Sequence, residues 1–506
     1  MPDLYVRMEA VNLFNFVEDV HDLSTIRGGS FLLLDAVLEV EQEFHLRRIS
    51  SGASAGLFTI ASERPAAELR RDIERFLHRD HRRHATFVVD VAPVTSFVRD
   101  RESLAAMNRW RQFQQPTLAV PSNPATPSNK ECDRDHVRPA AHVESTPDGK
   151  DTIDVSASAH VRREKGRKEK QKFYAKELRE LGMENDPSLN ALIEKVKKAE
   201  FAHDLEALTG DESKKSLHAK MAVLYFDGNS FGTKQRECDS PEVLTRLDTA
   251  IKTCRRRVLR SLMETITSSR DNGWWTKSDE IRLETLLWGG DELIWVVPAW
   301  KGWEVMQLFY EQTAGCAHDR QALTHAGGIV FCHHAAPIHR MRHTAIALAD
   351  LSKKFLKSGK VDPGHAESDL FAYQVFESFD LIEGDLKDYR AKRAPLSRKE
   401  TASDELLVRA QGMGNVAADF DVVRRGFPRS KLHDILLALR GKEGGNDLAT
   451  ATVDKLPTEE RDALRRLFHF FGRNSGAAPW DTAPTAWFHL AELWDYVPAP
   501  AKEVHP

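Results

Sequence analysis

A chain of 506 residues is too long for one hydrophobic core and implies two to four domains. Its 41% hydrophobic and 29% charged residues are the balance of a globular protein, and a formal net charge of −4 excludes a globally basic nucleic-acid binder. No apolar run is long enough for a membrane-spanning helix, and MPDLYVRMEA at the N-terminus has neither a basic n-region nor an apolar h-region, so no membrane contact and no secretory leader is expected.

Leu4, Val6 and Met8 alternate with Tyr5, Arg7 and Glu9, which predicts a half-buried strand. Phe31, Leu34, Val37 and Leu38 then fall on one stripe of a helix. GLFTI at 56–60, an Arg- and Glu-rich helix at 67–77 and the strand ATFVVDVA at 85–92 complete a βαββαβ order, the ferredoxin-like pattern of a palm domain. From 115 to 151 the chain is rich in Pro, Ser, Asn, Thr and Asp and reads as a long loop or linker. A strongly basic helix follows, HVRREKGRKEKQKFYAKELREL; such runs are usually solvated faces, although this one slightly favours contact with RNA.

A second βαββαβ order starts near Ala219. AVLYF (222–226) is its first strand, and a helix over 242–268 carries Leu244, Leu247, Ile251, Cys254 and Val258 at helical spacing. LETLLWGGDELIWVVPAW supplies two apolar strands joined at Gly289-Gly290. A helix at 301–315, the strand GGIVFCH, a Pro337-led helix to Lys357 and the strand FAYQVFESF (371–379) follow. From Ser397 the chain reads as purely helical. The expected fold class is α+β: two tandem ferredoxin-like palm domains (1–115 and 215–395), a linker with a basic helical region (116–214) and a helical domain (396–506). Cys132, Cys238, Cys254, Cys316 and Cys332 are scattered and never spaced CxxC, which argues for a reducing cytoplasm and against a disulfide framework or zinc ribbon.

The chemistry lies in the second unit. Asp227 ends an apolar strand, where an unpaired carboxylate is costly. Asp291 and Glu292 follow the Gly289-Gly290 turn, whose missing side chains let a triphosphate approach the backbone. Carboxylates at the ends of two neighbouring strands suit a pair of divalent cations, Mg2+ or Mn2+, about 3.5–4 Å apart. Gly228, Asn229, Ser230, Phe231 and Gly232 form a turn into a helix whose amides suit phosphates. A polar hairpin tip is the bland reading of GGDE alone; Asp227 and the strand order count against it. Lys353 and Lys354 fall on the solvent side of the 337–357 helix. His325, His333, His334, His339 and His343 lack the companions of a zinc motif and are expected at the surface or beside the nucleotide.

Three words, AVLYFDGNSFG (222–232), LWGGDELIWVVP (287–298) and HAGGIVFCHHAAPIHRMRHTAIALADLSKKFLK (325–357), resemble the large polymerase-cyclase subunit of type III CRISPR effector complexes, which makes cyclic oligoadenylates from ATP. The resemblance implies metal binding by Asp227, Asp291 and Glu292, and matches Lys353 to a lysine that contacts triphosphate. DLSTIRGGSFLLL (22–34) is similar to the family's first-palm motif and matches Ser30 to a nucleotide-facing serine. Departures are clear. Glu292 stands where the family usually has a second Asp, as in GGDEF diguanylate cyclases. With the first strand expected to begin by Leu4, no HD nuclease domain is expected, nor a zinc ribbon between the palms. The first palm has no acids at Val11-Asn12-Leu13 or in SSGASAGLF, so its expected role is to present the second nucleotide.

The implied function is a magnesium-dependent cyclase making cyclic oligoadenylate as a messenger of antiviral defence. The alternatives are a cyclic dinucleotide synthase of GGDEF type and a non-catalytic scaffold of an RNA-guided complex. Expected partners are ATP or another NTP, RNA or CRISPR-type subunits, and a second copy of the chain.

Overall fold

The computed structural model describes residues 3–115, 130–146, 150–182, 186–358, 369–377, 385–393, 406–440, 445–471 and 484–499. The first unit runs β1 (Asp3–Val11), a helical turn α1 (Phe14–Val17), α2 (Leu23–Glu43), β2 (Arg47–Ser51), β3 (Ala55–Ala61), α3 (Ala66–Leu77), β4 (Thr86–Pro93) and α4 (Phe97–Gln112). Its antiparallel sheet has the order β2-β3-β1-β4. The alternation read from the sequence sends Leu4, Val6 and Met8 into one core with Ile26, Leu33 and Ile73 of the two covering helices.

α2 starts earlier than RGGS suggested. Asp22 is its N-cap, its carboxylate accepting from the Thr25 amide at 2.8 Å, so 27–30 lie inside the helix rather than at its opening turn. The glycines serve a helix crossing. A Cβ on Gly28 would lie 1.7 Å from the Arg162 carbonyl oxygen, and one on Gly166 would lie 1.9 Å from that of Ser24. Only glycine permits this approach.

The connector holds more structure than a linker: a hairpin, β5 (Ala140–Ser145) with β6 (Thr152–Ser156), then α5 (Ala157–Arg179), α6 (Pro187–Lys198), β7 (Glu200–Phe201) and α7 (Leu205–Thr209). The basic helix is α5, and one of its faces is buried rather than solvated. Arg162 donates to Asp19 at 2.7 Å, and Lys170 to Glu284 at 2.8 Å. Arg27 of α2 pairs with the same Glu284 and donates to the Gly166 carbonyl at 2.8 Å. One buried carboxylate thereby ties together the first unit, the connector and the second sheet.

The second unit runs β8 (Lys220–Gly228), α8 (Phe231–Glu237), α9 (Pro241–Ser268), β9 (Glu280–Ile281), β10 (Glu284–Gly289), β11 (Glu292–Pro298), α10 (Ala299–Thr313), β12 (Ala317–His318), β13 (Gln321–Ala322), β14 (His325–His333), α11 (Ile338–Lys357) and β15 (Leu370–Val375). The order β10-β11-β8-β14 repeats that of the first sheet, and β15 adds parallel to β14. Residues 378 and 379 of the expected last strand lie outside the described residues. α12 (Leu386–Arg393) follows. The region expected to be purely helical contributes an edge strand, β16 (Val408–Arg409), antiparallel to β15. Helices at Val416–Gly426, Arg429–Arg440, Gly445–Val453, Thr458–Phe471 and Pro484–Glu492 follow.

β8 is covered on both faces, which explains its unbroken apolar run. Met221, Val223 and Tyr225 share a core with α11 and the first unit, while Ala222, Leu224 and Phe226 share one with α10 and the C-terminal helices. Against the expectation from spacing, Cys254 and Cys316 form a disulfide; they are 62 residues apart in sequence, and α9 and the segment before β12 bring their Cα atoms to 6.0 Å. Among the described residues no helix is long and apolar enough to cross a membrane.

Candidate functional site

Strand alternation decides which side chains meet. Tyr225 and Asp227 of β8 project to the sheet face covered by α11, as does Glu292 at the start of β11. The β8–β11 ladder pairs Leu293 with Phe226, so Glu292 stands one step further on, opposite Asp227. Gly289 pairs with Glu292, which makes Gly290-Asp291 the two-residue turn, one position later than the expected Gly289-Gly290. Gly290 turns the chain at φ +31°, where a side chain would be strained. Asp291 is half-buried rather than fully exposed at the tip.

Three carboxylates thus share one corner with one cation. The Tyr225 hydroxyl donates to Glu292 at 2.8 Å and lies 3.1 Å from Asp227. Lys353, expected on the solvent side of its helix, instead turns inward and ion-pairs with Asp227; Lys354 is exposed. Burial pushes Asp291 up to about 6, with Asp227 and Glu292 adding to the rise. Glu292 is raised too, by desolvation and by Asp227, although Tyr225 and Lys353 pull it back. The Tyr225 hydroxyl is held far above its ordinary range by burial and then by both acids.

This donor set fits a hard divalent cation: it is all oxygen, and its negative charges outnumber the positive. The carboxylates are not drawn into a closed cage; among the described residues no group of three or more His, Cys, Asp or Glu stands ready around an ion. Magnesium ordinarily takes one or two carboxylates together with substrate phosphates.

The turn after β8 is only partly free to meet phosphate. The Asn229 amide already donates to the Thr324 carbonyl at 2.8 Å, and its Nδ2 donates to the Thr324 hydroxyl at 3.2 Å. Ser230 takes a left-handed φ of +60°, and Phe231 packs edge-on against His325, so Ser230, Phe231 and Gly232 enter a helix of seven residues. Ser30 lies within α2, its hydroxyl donating to the Leu286 carbonyl of β10 at 2.8 Å. The acid-free hairpin of the first unit meets the acidic hairpin tip to tip. A Cβ on Gly289 would lie 2.3 Å from that of Ala53, and Gly290 faces Gly52.

Two contributors escaped the sequence reading. Tyr225 is one; its signal was a tyrosine two residues before Asp227, hence on the same strand face. Arg255 is the other. It donates to the Gly290 carbonyl at 3.0 Å and lies 4.4 Å over the Trp288 ring, while burial lowers its pKa to about 10. Its signal was its place beside Ile251 and Val258 on the apolar stripe of α9. The histidines divide by role. His339 and His343 bond to the Val20 carbonyl and to Glu18, latching α11 to the first unit, whereas His325 is buried.

No family profile and no curated protein matches this sequence. Solved structures do. Csm1 in T. onnurineus aligns with a TM-score of 0.53 at 14% identity, covering 98% of this chain and 70% of that one. The Csm1-Csm4 cassette in complex with cA4 aligns at 0.51 and 14%, over 98% and 70%. The chain has the fold of Csm1. The same cassette in complex with cA3 gives 0.51 at 13%, over 98% and 69%. The Csm1 likeness agrees with the resemblance carried by the three sequence words.

Proposed function

We propose that this chain is a Csm1-like, palm-type nucleotidyltransferase of a type III CRISPR system that joins ATP into cyclic oligoadenylate. The observation that carries the reading is the corner of Asp227, Asp291 and Glu292 on adjacent strand ends, with a single lysine against it. The likeness to Csm1 structures solved in complex with cA4 and cA3 supports it.

In the proposed reaction a ribose hydroxyl oxygen bonds to the α-phosphorus of a second ATP. The bond from that phosphorus to the bridging oxygen of the β-phosphate breaks, pyrophosphate leaves with the electron pair, and the hydroxyl proton passes to solvent. Asp227, Asp291 and Glu292 would hold Mg2+ or Mn2+, which when bound supplies Lewis acidity to the hydroxyl and neutralises the leaving charge. Lys353 exchanges Asp227 for the triphosphate, while Gly289 and Gly290 let the two hairpins close on one another, Gly289 against Ala53 and Gly290 against Gly52. Tyr225 orients Glu292 by its hydrogen bond. The first unit, through the 51–54 hairpin, presents the acceptor nucleotide, while Ser30 ties α2 to β10. A Csm4-type subunit is the proposed partner.

Mass spectrometry of products from an equal mixture of the four NTPs with magnesium tests this. Cyclic oligoadenylates are expected. A cyclic dinucleotide would favour the GGDEF-type reading, and no product from any NTP would leave a scaffold.

A further inference from the structure

The Cys254–Cys316 disulfide stands beside both halves of the acidic corner. Its two cysteines are buried in one core with Ile251, Phe231 and Leu323. Cys254 is followed on α9 by Arg255, whose guanidinium donates to the Gly290 carbonyl at 3.0 Å, one residue before Asp291. Cys316 opens the segment that carries β12 and β13, and its carbonyl accepts from the Leu323 amide at 2.8 Å. The next residue, Thr324, accepts from the Asn229 amide at 2.8 Å, two residues after Asp227. Phe231 joins the same core from the far side of that turn. One covalent bond between residues 62 apart in sequence therefore ties the backbone next to Asp291 to the backbone next to Asp227.

ATP is spent in compartments where thiols are kept reduced, and the disulfides that form there are usually transient and redox-sensing. We propose that Cys254 and Cys316 are a thiol–disulfide exchange site whose closed form fixes the acidic corner for its cation. The inference rests on the reading of that corner as a divalent-cation site and adds its regulation. Cys316 is the point of entry: Gly315 and Ala317 on either side are exposed, and the space beside Gly315 is open. In the open form the Cys316 thiolate attacks one sulfur of a small disulfide, oxidised glutathione, and expels a first glutathione thiolate. The Cys254 thiolate then attacks the Cys316 sulfur of the mixed disulfide and expels the second. Two thiols become one disulfide, two electrons pass to glutathione, and the two protons end on its thiolates. Closure holds Arg255 and Thr324 at a fixed separation, and with them the turns that carry the acids. Opening lets α9 and the β12–β13 segment move independently, so the carboxylates are no longer preorganised.

The test poises the full chain in glutathione buffers from oxidised to reduced and titrates each sample with Mn2+ alone, read by its paramagnetic resonance. Alkylation of the unfolded chain and intact mass count the thiols: three labels for the closed form, five for the open one. Mn2+ affinity is expected to fall about tenfold as three labels become five, the lower end of what losing an outer support of a metal ligand costs. Hydrogen exchange at the Asn229 amide should quicken over the same range. Cys316→Ala should match the open form in both readouts and ignore the buffer; the two states of the wild-type chain carry the test if that variant does not fold. Equal Mn2+ affinity in the two forms would overturn the proposal, as would a label count that stays at three in reduced glutathione until the chain unfolds. If neither form binds Mn2+, the reading of the corner fails, and Asn229 exchange still decides the coupling: a change with redox state upholds it, and none overturns it.

Discussion

Glu284 and Glu292 belong to the same hairpin, at the far end of β10 and the near end of β11. Glu284 is buried between Arg27 and Lys170, one anion to two cations. Burial alone would raise its pKa, yet the two cations hold it below the ordinary range, while burial brings Lys170 down to about 8. Glu292 shares its corner with Asp227 and Asp291, three anions to one cation, and there the acids are pushed up. Surplus cations make a carboxylate a structural tie. Surplus anions leave charge unsatisfied in the folded chain, and a ligand of opposite charge is what relieves it.

The comparison breaks if the two sites respond alike to neutralisation. Asp291→Asn should lower product formation by ~10²–10³ or more, the scale of removing one electrostatic catalytic group. Because its folded pKa lies above the unfolded one, the ionised Asp291 opposes folding near neutral pH. The melting temperature of metal-free Asp291→Asn should therefore equal or exceed that of wild type. A lower melting temperature would place Asp291 with the structural acids.

Glu284→Ala should do the reverse. It strands two buried cations, at a cost of ~3–5 kcal/mol in denaturant unfolding, and leaves turnover per folded molecule intact. A loss under about 1 kcal/mol would mean that Arg27 and Lys170 find other partners or water.

The smallest effect sharpens the comparison beside the site. Asp369 accepts from the His325 amide at 2.6 Å, and burial raises its pKa from 3.8 to about 6. A raised carboxylate contributes stability that is full below the unfolded pKa and lost as pH rises through the folded one. Asp369→Asn should therefore flatten the fall in melting temperature between about pH 4 and about pH 6. Parallel curves for mutant and wild type would remove Asp369 as the source.

Local patterns were readable where a residue's neighbours in space are its neighbours in sequence. The apolar run 222–226 capped by Asp227, and Gly-Gly-Asp-Glu between apolar strands, carried strand, turn and acids together. Arg27-Gly28-Gly29-Ser30 misled as a nucleotide-approaching turn, because its glycines answer to Gly166, far away in the chain, and the true cap, Asp22, precedes them. Lys353 misled in the same way. Helical spacing put it toward solvent, but its long side chain reaches past the edge of the helix to Asp227.

By itself the sequence determined the two βαββαβ orders, the acids and their place on strand ends, since alternation of period 2 and turn chemistry are local. Only the tertiary structure decided that Glu284 is a tie and Asp291 is not, that Cys254 meets Cys316, and that β16 adds an edge strand to the sheet. It alone put Arg255 and Tyr225 at the hairpin. Each of these depends on which distant charge, thiol or strand edge comes within a few ångströms, and the sequence does not carry that distance.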